Sequence, residues 1–212
     1  MIKAAILDFD GTLVTKDILD VVCGIVGKQE ESRKINKEFH AGIRPADLSP
    51  LIERINFLKG VTMTQIEKKL SENSYLMSGA KELLDYLHSK KIVSILSSGN
   101  ILPVLHYYQK ILGFNYIVGS KPRMDGETIL GISREDFKDP DFKLTEAKVI
   151  LERLHITPNE TVAIGDSPAD KKIFEFVNLS IAINPIEGIE KSVDYVIKDN
   201  LRNAIPVIEN SY

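Results

Sequence analysis

The sequence predicts an α/β fold: a parallel sheet with helices on both faces, interrupted after its first strand by a small helical insertion. Three observations predict it. Ala4, Ala5, Ile6 and Leu7 form a short apolar run that ends in Asp8-Phe9-Asp10-Gly11, the pattern of a strand buried on both faces and closed by a turn. Residues 92–96 and 161–164 repeat that pattern further along the chain, each flanked by stretches with helical periodicity. Between the first two of these strands, residues 15–77 keep an apolar spacing that suits helices only. A right-handed crossover between parallel strands needs just one helix, so several in succession read as a separate cap. The division that follows is a Rossmann-like core of residues 1–14 and 78–212, with residues 15–77 as a cap able to close over the strand ends.

Each element has its own signal. In the insertion, Ile18, Leu19, Val21, Val22, Ile25 and Val26 form one helical face that stops at Gly27. A charged helix over 30–41 carries Ile35 and Phe39 four apart and ends at Gly42. Leu48, Leu51, Ile52, Ile55 and Leu58 mark a third, with Pro50 near its start and Gly60 after it. Thr62 and Gln65 have the spacing of a capping box for a fourth. The core resumes at Ser78-Gly79 with a helix through Leu83, Leu84 and Leu87, then the strand 92–96, then a helix over 100–112 that stops at Gly113. Asp125-Gly126, between extended stretches 118–124 and 127–132, predicts a β-hairpin projecting from the core, with Lys121 and Arg123 as exposed edge charges. A helix over 143–154, strands at 161–164, 180–183 and 195–197, and a helix over 201–209 complete the chain.

Composition narrows the function classes. The 212 residues are 43% hydrophobic and 27% charged, as in a soluble globular protein with a sizeable core. A net charge of −3 argues against a general nucleic-acid binder. The lone cysteine, Cys23, allows no intrachain disulfide and no cysteine-held zinc. The apolar run at the start is too short for a signal peptide, and no later run could span a bilayer, so the expectation is a cytoplasmic protein without a membrane partner. Either a monomer or a homodimer is compatible with these numbers.

The chemistry is concentrated at strand ends, where open α/β sheets hold their ligands. Asp8 and Asp10 are two apart on an extended segment and can share a site. Like charges that close are costly unless a cation or a shared proton offsets them, so the pair asks for a metal ion. The second strand runs into Ser97, Ser98, Gly99 and Asn100, whose hydroxyls and N–H groups can meet an oxyanion. Lys143 opens a helix, and Gly165-Asp166 follows the next strand with Asp170 four residues on.

DFDGTL, a serine at the second strand end, a helix-opening lysine and GDxxxD, in that order, resemble the four motifs of the haloacid dehalogenase superfamily, most of whose members are magnesium-dependent phosphatases. The resemblance implies that Asp8 is the nucleophile and forms an aspartyl-phosphate, and that Asp10 is the acid and base. It implies that Ser97, with Ser98 and Gly99, holds phosphate and that Lys143 steadies the nucleophile. Asp8, the Asp10 carbonyl and Asp166 would ligate Mg2+, with Asp170 anchoring the metal or Lys143 from behind.

Length and cap position resemble the phosphoserine phosphatase branch. There, an acidic residue nine positions after the nucleophile meets a substrate ammonium, a place held by Asp17. The arginine of an L-x-x-R-hydrophobic-x-x-L-K helix meets the carboxylate, and LIERINFLK puts Arg54 in that place. A carboxylate and a guanidinium set apart suit a zwitterion. The chain departs from the branch in carrying Asp17 for Glu, Ser97-Ser98-Gly99 for SGG and GDSPAD for GDGAND, so the implied substrate is a small phosphorylated metabolite, phosphoserine or a relative. His40, near the cap's middle helix, reads as a surface histidine, with a place facing the pocket as the alternative. A phosphotransferase or phosphomutase of the same fold, or a weakly catalytic phosphate-binding protein, would carry the same motifs.

Overall fold

A computed structural model describes residues 1–186 and 188–211. Six strands form one wholly parallel sheet: β1 (Ala4–Leu7), β2 (Val93–Ile101), β3 (Tyr116–Ser120), β6 (Thr161–Gly165), β7 (Leu179–Ile183) and β8 (Tyr195–Ile197). Their order across the sheet is β3-β2-β1-β6-β7-β8. From β1 the chain steps outward to β2 and β3, then returns to the other flank of β1 and steps outward again. The reversal falls between β1 and β6, and at such a point the connecting segments part and leave a crevice at the carboxyl ends of the strands. Leu7 pairs with Ile164, and the Asp8 amide donates to the Ile164 carbonyl at 2.9 Å, so the residues that follow these two strands emerge side by side.

All four residues of β1 and all five of β6 and β7 are buried, which accounts for their unbroken apolar runs. Helices α5 (Ala80–Ser89), α6 (Leu102–Leu112), α7 (Phe142–Arg153), α8 (Lys171–Phe176) and α9 (Ala204–Glu209) complete the sheet layer. Phe9, fully buried, meets Tyr108 of α6 edge-on at 4.9 Å between ring centres and seats the turn after β1 on its neighbour.

The insertion holds α1 (Ile18–Cys23), α2 (Gln29–His40), α3 (Ser49–Asn56) and α4 (Met63–Ser71). The expected stops are real: Gly27, Gly42 and Gly60 all have positive φ. The Thr62–Gln65 capping box at α4 has both its bonds. Ile18, Leu19, Val22, Ile55, Leu58, Ile66 and Leu70 are almost fully buried and join α1, α3 and α4 to one continuous apolar core.

Two expectations need revision. Strand β2 does not end at Leu96 but continues to Ile101, so α6 starts at Leu102 rather than at Asn100. The hairpin of β4 (Arg123–Asp125) and β5 (Thr128–Gly131) does not project freely. Its far strand lies against the turn between α3 and α4, where Gly60 N donates to Ile129 O at 2.8 Å, Ile129 N to Val61 O at 2.9 Å and Met63 N to Glu127 O at 3.0 Å. Asn56 adds a two-way bond to the Ile132 backbone, 2.9 Å each way. The backbone polar groups of that turn need partners, and the hairpin edge supplies them.

Candidate active site

The carboxyl ends of β1, β2 and β6, the start of α7 and the inner faces of α1, α2 and α3 enclose a cavity of about 740 Å3. Its floor is acidic. Asp8 and Asp166 line it, Asp170 is buried behind them, and each of the three brings a carboxylate oxygen within 4.8 Å of the others. Backbone design makes this possible: Gly11 turns back at φ +83, and a Cβ there would lie 2.3 Å from Asp166 Oδ2. Gly165 gives the same clearance to Asp170, whose Oδ2 would stand 2.6 Å from an added Cβ.

Lys143 reaches into this cluster from the first turn of α7. Its Nζ is 2.7 Å from Asp8 Oδ1 and 2.8 Å from Asp170 Oδ1. Asp170 turns its other oxygen to the Asp166 and Ser167 amides and the Ser167 hydroxyl, each at 3.2–3.3 Å. Thr12 donates to Asp166 Oδ1 at 3.3 Å. Burial, with Asp170 adding to it and Lys143 opposing, pushes the Asp8 carboxyl up to about 7. Burial, then the charges of Asp8 and Asp170, push Asp166 up to about 8. Burial works against the Lys143 ammonium, but Asp170 and Asp8 outweigh it and raise its pKa. Three carboxylates against one ammonium leave an excess of negative charge, and the donors are all oxygen. That donor set fits a hard divalent cation.

Asp10 stands apart from the cluster. Its Oδ1 accepts from the Ile18 amide at 2.7 Å, and Asn100 Nδ2 donates to Oδ2 at 3.1 Å. Burial raises its pKa well above the usual range, with Asp17 adding to the effect.

At the end of β2 the register against β3 slips, with Ser97 opposite Val118 but Ile101 opposite Ser120. The Ser120 hydroxyl holds the Gly99 carbonyl at 2.7 Å across the slip. This irregularity aims Ser98, Gly99 and Asn100 at the cavity. It also corrects the expectation for Ser97, which is fully buried, is absent from the cavity wall and donates its hydroxyl to the Lys143 carbonyl at 3.2 Å. At this strand end the serine that lines the cavity is Ser98.

The cap contribution differs from expectation too. Arg54 and Asp17 both line the cavity, but they are not set apart. Arg54 Nη2 lies 2.6 Å from Asp17 Oδ1 and 3.0 Å from Asp20 Oδ1. Nε donates to Ser32 and Nη1 to Asn36 Oδ1 at 3.2 Å, while Asn36 Nδ2 donates to Asp17 Oδ2 at 3.0 Å. Arg54 is 6% exposed, and a charge so buried demands these partners. His40 stands at the cavity rim, its pKa lowered chiefly by burial.

Sequence reasoning missed Thr12, Asp20, Ser32, Asn36 and Asn100. Thr12 and Asn100 adjoin recognised motifs, but the partners of Arg54 lie on α1 and α2, and no spacing announces a contact made between helices.

A sequence model of the haloacid dehalogenase-like hydrolases matches residues 5–175. The chain belongs to this family. Among curated relatives of this hydrolase, the phosphoserine phosphatase of Campylobacter jejuni is 26% identical over 98% of this chain and 100% of its own. That of Methanocaldococcus jannaschii is 26% identical over 98% of each chain. A solved structure of a substrate-bound phosphoserine phosphatase superimposes with a TM-score of 0.85 at 24% identity, covering 98% of both chains. A hydrolase of the same family from Salmonella enterica reaches 0.87 at 16% identity, over all of this chain and 72% of the other, and these superpositions establish the fold. Membership of this family makes the chain a hydrolase, and no helix among its described residues is long and apolar enough to cross a membrane.

Proposed function

We propose that this hydrolase removes phosphate from phosphoserine, or from a close aminoalkyl phosphate, with Mg2+ bound by Asp8, Asp166 and the Asp10 carbonyl. In this reading residues 15–77 are a cap that selects the substrate and the remainder is the catalytic core. The observation that carries it is the shared cavity: the acidic floor and the Asp17–Arg54 pair face one space.

Bound Mg2+ would neutralise phosphate charge and offset the repulsion between the floor carboxylates. Asp8 attacks phosphorus, held in rotation by the Lys143 bond to its Oδ1. As the ester P–O bond breaks, Asp10 gives its proton to the leaving oxygen. In the second half Asp10 takes a proton from water, which attacks phosphorus and breaks the Asp8–phosphorus bond, returning both carboxyl groups to their starting states. Ser98 and the amides around Gly99 hold the phosphate oxygens, and Lys143 spreads its charge over them.

Substrate choice rests on exchange of ion pairs. The ammonium and carboxylate of a zwitterion entering between Asp17 and Arg54 replace one ion pair with two and leave no charge unpaired. Nη1 of Arg54, whose one hydrogen bond among the described residues is to Asn36 at 3.2 Å, is the donor most readily given to a carboxylate. Phosphate release from phosphoserine, with and without Mg2+, tests the proposal on wild type and Asp8→Asn. Turnover that needs both the metal and Asp8 supports it. Hydrolysis of p-nitrophenyl phosphate without hydrolysis of phosphoserine would overturn the substrate assignment.

A further inference from the structure

We propose that Asn100 is a positioning residue for proton transfer, acting through Asp10; this rests on the acid–base role assigned above. Asn100 is 2% exposed, so its amide is committed to whatever it touches. Nδ2 donates to Asp10 Oδ2 at 3.1 Å and lies 3.4 Å from Oδ1, while Oδ1 of the same amide accepts from the Ile101 amide at 2.9 Å. The backbone N–H of Asn100 is itself taken by the Ser98 hydroxyl at 3.0 Å. Both ends of this amide are thus engaged, and a flip would lose the bond at each end and set Nδ2 against the Ile101 N–H, donor against donor.

The consequence falls on which Asp10 oxygen carries the proton. Oδ1 is occupied by the Ile18 amide at 2.7 Å, the shortest contact Asp10 makes. Oδ2 keeps a free lone pair and is held in direction by Asn100. The carboxyl is therefore clamped between two donors, one from the turn into α1 and one from the end of β2, and cannot rotate to offer the other oxygen. Asn100 is sent toward Asp10 by the register slip between β2 and β3, which a regular strand end would not provide.

A residue that aligns a proton donor matters in proportion to how badly the leaving group needs the proton. An alkyl phosphate such as phosphoserine leaves as a poor alkoxide, whereas p-nitrophenolate departs without help. The readout is the ratio of kcat/KM for an alkyl phosphate to kcat/KM for p-nitrophenyl phosphate. In Asn100→Ala this ratio is expected to fall roughly 10- to 100-fold, a share of the 10²–10⁴ that a placed proton donor contributes. Asn100→Asp keeps an acceptor for the Ile101 amide but removes the donor, and is expected to lower the ratio in the same direction. Equal losses on both substrates, or no loss on either, would overturn the proposal and leave Asn100 as a fold residue. Phosphoethanolamine and glycerol phosphate serve as further alkyl probes, so wild-type failure on phosphoserine alone removes the substrate assignment and not this role. A wild type without magnesium-dependent turnover of any of these esters overturns both.

Discussion

Arg54 and Asp17 close on each other at 2.6 Å inside the cap, and Asp20 joins them from the same helix as Asp17's capping bond. The arginine is the hub of that cluster. Removing it strands two acidic side chains in a buried setting, while removing an acid leaves the arginine one partner short.

Arg54→Ala is accordingly expected to destabilise the protein by about 3–5 kcal/mol, the usual loss on breaking a buried ion pair. Combining it with Asp20→Asn should recover part of that loss. Urea denaturation of the single and double variants measures the difference.

Lys143 bridges Asp8 and Asp170 at 2.7 and 2.8 Å. Lys143→Ala should lower kcat by about 10²–10³, the range seen when one preorganised charge stabiliser is lost. Single-turnover phosphate release with Mg2+ at saturation reads it directly.

Gly11 and Gly42 both have positive φ, but only Gly11 has a neighbour in the way. Gly42→Ala should cost about 1–2 kcal/mol of backbone strain and leave turnover intact. Gly11→Ala adds a clash with Asp166 and should abolish metal-dependent turnover. Thermal melts and activity assays of the two variants separate strain from clash.

Ser97 and Ser98 differ in the same way. Ser98→Ala should lower kcat/KM by roughly tenfold, as one phosphate hydrogen bond is lost. Ser97→Ala should act on stability, by about 1 kcal/mol, since its hydroxyl serves the Lys143 carbonyl. Kinetics and melting temperatures of both variants decide.

Asp8 is raised to about 7 and Asp166 to about 8, so the metal-free native state binds protons that the unfolded chain has released. Stability from these groups is present in full below about pH 4 and is lost as pH rises through 7 to 8. With EDTA, the contribution of the pair should make the protein melt lower at pH 8.5 than at pH 6. Mg2+ binds the ionised carboxylates, so it should stabilise most at the higher pH and narrow that gap. Melting curves at both pH values, with EDTA or Mg2+, test the sign.

The sheet and its acidic ends were legible because both depend on local pattern. An apolar run followed by Asp8-Phe9-Asp10-Gly11 can hardly be anything but a buried strand meeting a turn. Asp166 could be paired with Asp8 because parallel strands bring their carboxyl ends together. What escaped the sequence depends on contacts between distant segments. Alternation along a strand cannot tell Ser97 from Ser98 when the register slips, and nothing local shows that Asn100 will reach Asp10, ninety residues away. The sequence points to Asp17 and Arg54 one by one but not to their contact, because the distance between two helices is set by packing.

The hairpin edge from Glu127 to Ile129 supplies the backbone partners of Gly60, Val61 and Met63, although it lies far along the chain from them. Transplanting residues 15–77 alone into a relative would leave those amides and carbonyls bare. A chimera that exchanges specificity therefore has to carry 123–132 along with the helices, as one graft in two pieces.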